Sequence, residues 1–490
     1  MLNVGFRQTA AALACSVGTH HKVVAHRRVN ICFAKFSIMG FFSLNQISFV
    51  LPLATLIFFS GCYKDPPVEF EENLVLAKKL ELQTGMPMQQ VIKDSKWALD
   101  ALFGSPDKPA LPKSFSENKD FETLISVDAL KAASGPETKE GQGLFRQHCA
   151  RCHGVTGNGR GENATLVEPY PRDFRAGVFK FKSTSRSSKP IKSDLIRVIK
   201  HGIAGSSMVA EYQLPGGKVG PLPHDSIDQL ADYVIYLSIR GEAERQMLEE
   251  AALELNLEDG ERLIEPELAA SSKEEFEEQW NLLLEIVDGV ASEWAEAADD
   301  VVEIEVPSDL PVASSHEDLL HLLAQEDSSD TVKKSIARGK ELFGGTVASC
   351  SKCHGIHGRG DGQEADYDDW TKDWTTRIGL NPVDEKSLVP LIARGALTPR
   401  TIKPRNFEEG IFRGGSNPED LYRRLTQGIA GTPMPAVTFV EGQLDERDVW
   451  NLINYIHSLK KISVDPSNAG SNLKSSATPA MATRLSVDTL

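Results

Sequence analysis

A Cys-x-x-Cys-His run occurs twice in this 490-residue sequence, at 149–153 and at 350–354. Two thiols one helical turn apart can add to the two vinyl groups on one edge of a porphyrin, and the histidine that follows can place its imidazole under the iron. The pattern therefore predicts two covalently attached c-type haems. The predicted attachment and proximal-ligand residues are Cys149, Cys152, His153, Cys350, Cys353 and His354.

A zinc site built from the two Cys-x-x-Cys pairs is the alternative. Zinc ribbons usually separate their cysteine pairs by tens of residues. Here the pairs lie about 200 residues apart, and each is followed directly by histidine. The spacing favours haem over zinc.

The remaining cysteines all lie near the N-terminus. The chain has seven cysteines, and the three outside the motifs are Cys15, Cys32 and Cys62. Beyond Cys62 no cysteine is left for a disulfide framework. This usage is typical of an exported protein whose cysteines are consumed by cofactors.

Negative charge is concentrated between the two motifs. The chain has a formal net charge of −16, and residues 241–330 hold 28 acidic against three basic residues, a local net charge of −25. The rest of the chain is therefore mildly basic. An acidic block of this size argues against nucleic acid as a partner.

An apolar segment runs from Met39 to Gly61 and ends directly before Cys62. Small residues before a cysteine resemble a bacterial lipoprotein signal, in which Cys62 becomes the lipidated first residue. Phe59, at a position where such signals usually carry an aliphatic residue, departs from that pattern. An uncleaved membrane helix is the alternative, since the segment is about long enough to span a bilayer. Both interpretations predict a membrane-anchored protein on the extracytoplasmic, or periplasmic, side.

The flanks of the two motifs repeat the same elements in the same order. In each copy a helix leads into the motif, and a glycine-rich loop follows it. Next come a Pro-Arg-x-Phe segment, a middle helix, a Gly-Ile-Ala-Gly-x-x-Met loop and a last helix. We therefore divide the chain into a signal or anchor segment (1–62), a helical lead-in (63–135), a first haem unit (136–242), an acidic helical connector (243–330), a second haem unit (331–462) and a disordered tail (463–490).

Apolar periodicity places the helices of these regions. It predicts the last helix of the first unit over Asp225–Ser238, and helix-like spacing also runs from Glu69 to Phe103 in the lead-in. In the connector it predicts an amphipathic helix over Lys273–Ala298, either a solvated spacer packed by one face or an electrostatic docking patch. The second unit also contains an extra loop, about 361–401, with Trp370 and Trp374.

Met208 and Met434 are the candidate sixth ligands of the two irons. A thioether opposite histidine favours Fe(II) and raises the reduction potential. A core methionine is the alternative role, but both residues end matching Gly-Ile-Ala-Gly-x-x-Met loops, and only eight methionines occur in the chain. His201 and His357 are the weaker rivals should a methionine stay unbound.

Arg172 and Arg405 occupy the same place in the two copies, after a proline and two residues before a phenylalanine. An arginine near haem can pair with a propionate, in a bidentate manner where the geometry allows. A surface arginine is the alternative.

Both units resemble class I c-type cytochrome domains in their entry helix, Cys-x-x-Cys-His motif, Gly-x-x-Met loop and C-terminal helix with aromatic residues. Those aromatics are Tyr233 and Tyr236 in the first unit and Tyr455 in the second. The resemblance covers about half the chain, 136–242 and 331–462. It implies an all-α fold, in which two small cytochrome c domains are joined by the acidic helical connector, and electron transfer through exposed haem edges.

These features predict an anchored dihaem cytochrome that relays single electrons between redox protein partners in or at the membrane, rather than an enzyme. Two rivals remain open. A dihaem peroxidase would need one iron whose sixth position opens to substrate. A cytochrome subunit would be fixed to a dehydrogenase, a quinol-oxidising complex or a terminal oxidase, with the extra loop and the acidic block as places for its interface.

Overall fold

The computed structural model describes residues 67–135, 143–210, 212–214, 218–363 and 365–461. The predicted signal or anchor segment with Cys62 and the predicted tail lie outside the described residues. Within the described ranges, no helix combines the length and the apolar character that crossing a bilayer requires.

Helices dominate the described chain, as predicted for an all-α protein. The α-helices are α1 (Leu74–Thr84), α2 (Gln89–Phe103), α3 (Ser114–Glu117), α4 (Lys119–Glu122), α5 (Val127–Ala133), α6 (Leu144–His148), α7 (Ala150–His153), α8 (Lys192–His201), α9 (His224–Glu254), α10 (Leu268–Ser271), α11 (Lys273–Ala295), α12 (His316–Ala324), α13 (Glu326–Gly344), α14 (Ser351–His354), α15 (Asp369–Asp373), α16 (Glu385–Ile392), α17 (Pro418–Gln427) and α18 (Glu446–Ser458). Short 3-10 helices span Ala164–Leu166, Phe174–Ala176, Leu257–Asp259, Glu296–Asp300, Thr376–Ile378 and Phe407–Glu409. Antiparallel pairs join β1 (Gly104–Ser105) to β2 (Lys108–Pro109), β3 (Tyr212–Leu214) to β4 (Lys218–Gly220), and β5 (Asp366–Tyr367) to β6 (Thr401–Ile402).

Helix α9 is the centre of the first half of the structure. It buries residues on every side, because α2, α5, α8 and α11 all pack around it. One hydrophobic core therefore joins the lead-in, the first haem unit and the acidic helix α11. The apolar side of α11, with Val287, Val290 and Trp294, is buried in that core, so this helix is a packed part of the first half.

The last helix of the first unit is longer than predicted. It continues past Ser238 to Glu254 because Met247, Leu248 and Ala251 extend its buried side. Gly241 does not interrupt it. A Cβ atom there would lie 2.4 Å from the Cα atom of Arg175, so glycine lets the segment Phe174–Ala176 cross the helix closely. In the lead-in, the predicted helical stretch consists of two helices, α1 and α2. Helix α1 ends at Gly85, which adopts φ +77°.

The second half has its own core, in which α13 and α18 cross. Gly339 of α13 lies at the crossing point, where a Cβ atom would lie 2.1 Å from the Asn451 carbonyl oxygen. Tyr422 of α17 stacks on Trp450 of α18, with ring centroids 4.6 Å apart. These contacts bring the entry helix and the last helix of the second unit together.

The extra loop of the second unit packs on the lead-in. Trp374, Leu388 and Leu391 form a small apolar cluster with Val75 of α1. Lys79 of α1 donates to Asp373 at 2.8 Å. This loop therefore fastens the second haem unit to the first half of the chain.

Candidate haem-binding site

Both cysteine pairs lie at the start of a single helical turn. Cys149 precedes α7 and Cys350 precedes α14, and both partner cysteines lie within those turns. None of the four forms a disulfide, and all are half-buried. Burial raises the pKa of Cys149 to about 12 and that of Cys350 to about 11, which keeps both thiols protonated.

The first motif histidine is oriented by the backbone of Arg172. The Nδ1 atom of His153 lies 3.0 Å from the Arg172 carbonyl oxygen. Because a carbonyl can only accept, Nδ1 must carry the proton, and Nε2 keeps a free lone pair. The protein surroundings desolvate this ring and lower its pKa to about 4, so the imidazole is neutral and able to bind a metal.

The second motif repeats this arrangement. The Nδ1 atom of His354 lies 3.3 Å from the Arg405 carbonyl oxygen. Each ring also lies flat against a phenylalanine, Phe174 at 4.7 Å and Phe407 at 4.6 Å between ring centroids. The predicted arginines thus orient the histidines through their main chains, a role that the sequence analysis missed.

Glycine is required where the loop after each motif turns back on the core. Gly157 adopts φ +71°, and a Cβ atom there would lie 2.9 Å from Leu237 and 3.0 Å from Phe174. Its counterpart Gly358 adopts φ +69° and approaches Phe407 equally closely. The carbonyls of both glycines accept from the amide of the phenylalanine that stacks on the histidine. These loops therefore fix the position of the ring pair.

Both predicted methionines end a tight loop of the same construction. The Met208 carbonyl accepts from the Ile203 amide at 2.7 Å, and the Met434 carbonyl accepts from the Ile429 amide at 3.1 Å. In each loop the methionine amide donates to a hydroxyl two residues earlier, at 3.2 Å. Both methionines are half-buried, whereas the rival histidines His201 and His357 are exposed.

The two haem units face each other, with each methionine loop next to the other unit. Arg413 of the second unit donates to the Gly205 carbonyl in the first methionine loop at 3.2 Å. Arg186 of the first unit donates to the Met434 carbonyl in the second loop at 2.9 Å. An ion pair between Arg197 and Asp420, at 2.8 Å, joins the two middle helices.

Half-buried cations are concentrated at this junction. The guanidinium of Arg172 lies 3.4 Å from the ring centroid of Trp370, and the ammonium of Lys180 lies 5.5 Å from the same ring. Burial lowers the pKa of Arg172 to about 9. Burial, followed by the charge of Arg172, lowers the pKa of Lys180 to about 7. In the described chain neither cation has an ion-pair partner within 4.0 Å.

These cations fit the carboxylates of a haem. They line or border a cavity of about 310 Å³ between the first unit and the extra loop. A half-buried cation is costly, and propionates would add to the negative charge that Asp368 places near both cations. In the first unit these cations join a thiol pair and an available imidazole nitrogen, and the second unit repeats the thiol pair and the imidazole, so both units suit a covalently attached haem.

The two predicted arginines differ in their surroundings. Arg405 pairs with Glu409 at 3.0 Å inside its own unit. Arg172 instead stacks on Trp370, which packs against Gly431 in the second methionine loop. Trp370, Lys180, Arg186 and Arg413 were missed as site residues, and the one available signal was the pair of tryptophans in the extra loop.

We expect Arg172→Ala to loosen the junction between the units. The stack on Trp370 is a cation–π contact in partly desolvated surroundings, worth about 0.5–2 kcal/mol. The free energy of unfolding should fall by that amount, measured in denaturant with haem absorbance as the signal. Arg405→Ala is the control, because its exposed ion pair contributes roughly 0–1 kcal/mol. An Arg172→Ala protein as stable as the wild type would contradict this assignment.

Two family comparisons match the two haem units. Residues 336–460 match the family described as "Cytochrome c", and residues 136–234 match "Cytochrome C oxidase, cbb3-type, subunit III". The comparison with curated proteins gives no match.

Among solved structures, a chain of the Kuenenia stuttgartiensis reducing HAO-like protein complex is 23% identical. The alignment covers 66% of this chain and 98% of that one, with a TM-score of 0.36. The two family matches identify a cytochrome c-like domain in each haem unit, and electron transfer is the activity that such domains indicate.

Proposed function

We propose that the chain is a dihaem c-type cytochrome that relays single electrons. Its haems would be attached through Cys149 and Cys152 and through Cys350 and Cys353, with His153 and His354 as proximal ligands. Met208 and Met434 would be the sixth ligands. The observation that carries this proposal is the duplicated donor set, in which each histidine has its Nδ1 atom committed to a carbonyl.

When bound, a haem supplies an iron that cycles between two oxidation states, one electron at a time. The chain's own residues hold and orient that iron. The carbonyls of Arg172 and Arg405 fix the histidine tautomers, and Arg172 and Lys180 supply charge for propionates. The contacts between the units support direct relay between the two haems, with entry at one and exit at the other.

We further propose an extracytoplasmic location, with an anchor formed by lipidated Cys62 or by the apolar segment before it. Its place would be a respiratory chain with redox protein partners in or at the membrane. The concentration of acidic residues at 241–330 favours partners with basic surfaces over nucleic acid.

The first test is haem counting together with a spectrum of the purified, oxidised protein. We expect two haems per chain and a weak near-infrared methionine–iron band with the intensity of two such haems. Met208→Ala and Met434→Ala should each remove half of that band. A high-spin haem in the wild type would instead favour the peroxidase alternative, and peroxide turnover by the half-reduced protein would then establish it.

One surface feature favours a second candidate, a cytochrome subunit of a larger redox complex. Trp97 is 41% exposed and contacts Phe276 and Trp280 of the acidic helix α11, at 6.4 and 6.0 Å between ring centroids. Exposed aromatic clusters are enriched at protein interfaces. Co-purification of a partner from solubilised membranes with the wild type, and its loss with Trp97→Ala, would support this candidate.

A further inference from the structure

Arg186 of the first unit forms a two-pronged contact with the second methionine loop. Its Nη1 atom donates to the Met434 carbonyl at 2.9 Å, and its Nη2 atom donates to the Thr432 carbonyl at 3.0 Å. Gly428, at the start of that loop, allows the approach, since a Cβ atom there would lie 2.5 Å from Nη1. The guanidinium fork therefore holds the main chain of the predicted ligand itself.

The segment that carries Arg186 is fixed to the first half of the structure. The Ser185 amide donates to the Asp300 carbonyl at 3.0 Å, and the Val302 amide donates to the Ser183 carbonyl at 3.0 Å. Lys182 donates to the Arg186 carbonyl at 3.1 Å. Arg186 thus lies in a segment of the first unit that is held in place by connector residues 300–302, shortly after α11.

The two methionine loops differ in this respect. In the described ranges, the hydrogen bond to the Met208 carbonyl comes from its own loop, and none reaches it from the second unit. Arg413 reaches only the Gly205 carbonyl, three residues before Met208. Val209, directly after Met208, is 58% exposed. The second methionine loop is therefore hydrogen-bonded across the junction at Met434 itself, whereas among the described residues the first loop has no such contact at Met208.

We infer that Arg186 is a positioning residue that makes methionine binding at the second haem depend on docking of the first unit. This inference rests on the proposed role of Met434 as an iron ligand. Without the fork, Met434 leaves the iron more readily, and an exogenous ligand competes better. Loss of the nearby positive charge also disfavours Fe(II), so the reduction potential of the second haem falls.

The test compares Arg186→Ala with wild-type holoprotein in imidazole titrations monitored at the methionine–iron band. Two charge-assisted hydrogen bonds are lost, so we expect imidazole to bind the second haem at least about tenfold more tightly. The first haem should keep its half of the band, which also shows that the variant is folded. Arg186→Lys keeps the charge without the two hydrogen bonds of the guanidinium. In this variant the second haem should keep its reduction potential but bind imidazole more tightly than in the wild type.

Arg413→Ala is the matched control, because its contact ends on Gly205 and not on a methionine. It should leave the imidazole affinity of the second haem unchanged. An Arg186→Ala protein with wild-type imidazole affinity and potential at both haems would overturn the inference while leaving the dihaem proposal intact. A wild-type protein without any methionine–iron band would instead remove the proposed ligation itself.

Discussion

Replacing Cys350 and Cys353 together by alanine is expected to halve the covalently bound haem, from two groups per chain to one. Each motif supplies its own two thiols, and both pairs lie at a helical turn with a correctly oriented histidine, so one site should load without the other. Haem counted per chain after denaturation, when only thioether-linked haem stays with the polypeptide, measures the change. The same outcome is expected for Cys149 and Cys152.

The control is Cys62→Ala, which lies outside both motifs and should leave the haem content at two. A double variant of either motif that still carries two thioether-linked haems would contradict the assignment. Zinc without haem absorbance in the wild type would contradict it more deeply, since the two Cys-x-x-Cys pairs would then serve a different metal.

Gly339→Ala is expected to destabilise the second unit by about 2–3 kcal/mol. The added methyl group would lie 2.1 Å from the Asn451 carbonyl oxygen, and that atom belongs to the main chain of α18. Relief requires the two crossing helices to separate, which opens the core that they share. Chemical denaturation of the holoprotein, followed by helix content and by haem absorbance, measures the loss.

Gly289→Ala on α11 is the matched control, because no atom lies within 4 Å of the position where its Cβ would be placed. There the substitution should stabilise the protein by about 0.5–1 kcal/mol, since alanine loses less backbone entropy in a helix. If both variants behaved alike, the close crossing of α13 and α18 would not be the cause of the effect.

The candidate haem-attachment sites were predictable from the sequence, because the residues that covalent attachment requires are neighbours in the chain. Cys149, Cys152 and His153 lie within five consecutive positions, and the same pattern recurs at 350–354. The all-α class was implied by the resemblance to class I cytochromes. Apolar periodicity predicted helices in the lead-in, the connector and the first unit, although it could not place the end of α9. The placement of Met208 and Met434 in twin loops followed from the duplication, and their binding to iron remains a prediction.

The junction between the units was decided only by tertiary structure. Arg186 and Met434, and likewise Arg172 and Trp370, lie about 200 or more positions apart in sequence, and no periodicity relates them. The hydrogen bonds from the histidines to the Arg172 and Arg405 carbonyls could not be predicted either. Every residue has a main-chain carbonyl, so the residue type gives no indication of which carbonyl accepts. Sequence spacing predicts where haem would attach, whereas packing of the two halves decides which side chains surround the motifs, since that depends on contacts between residues far apart in the chain.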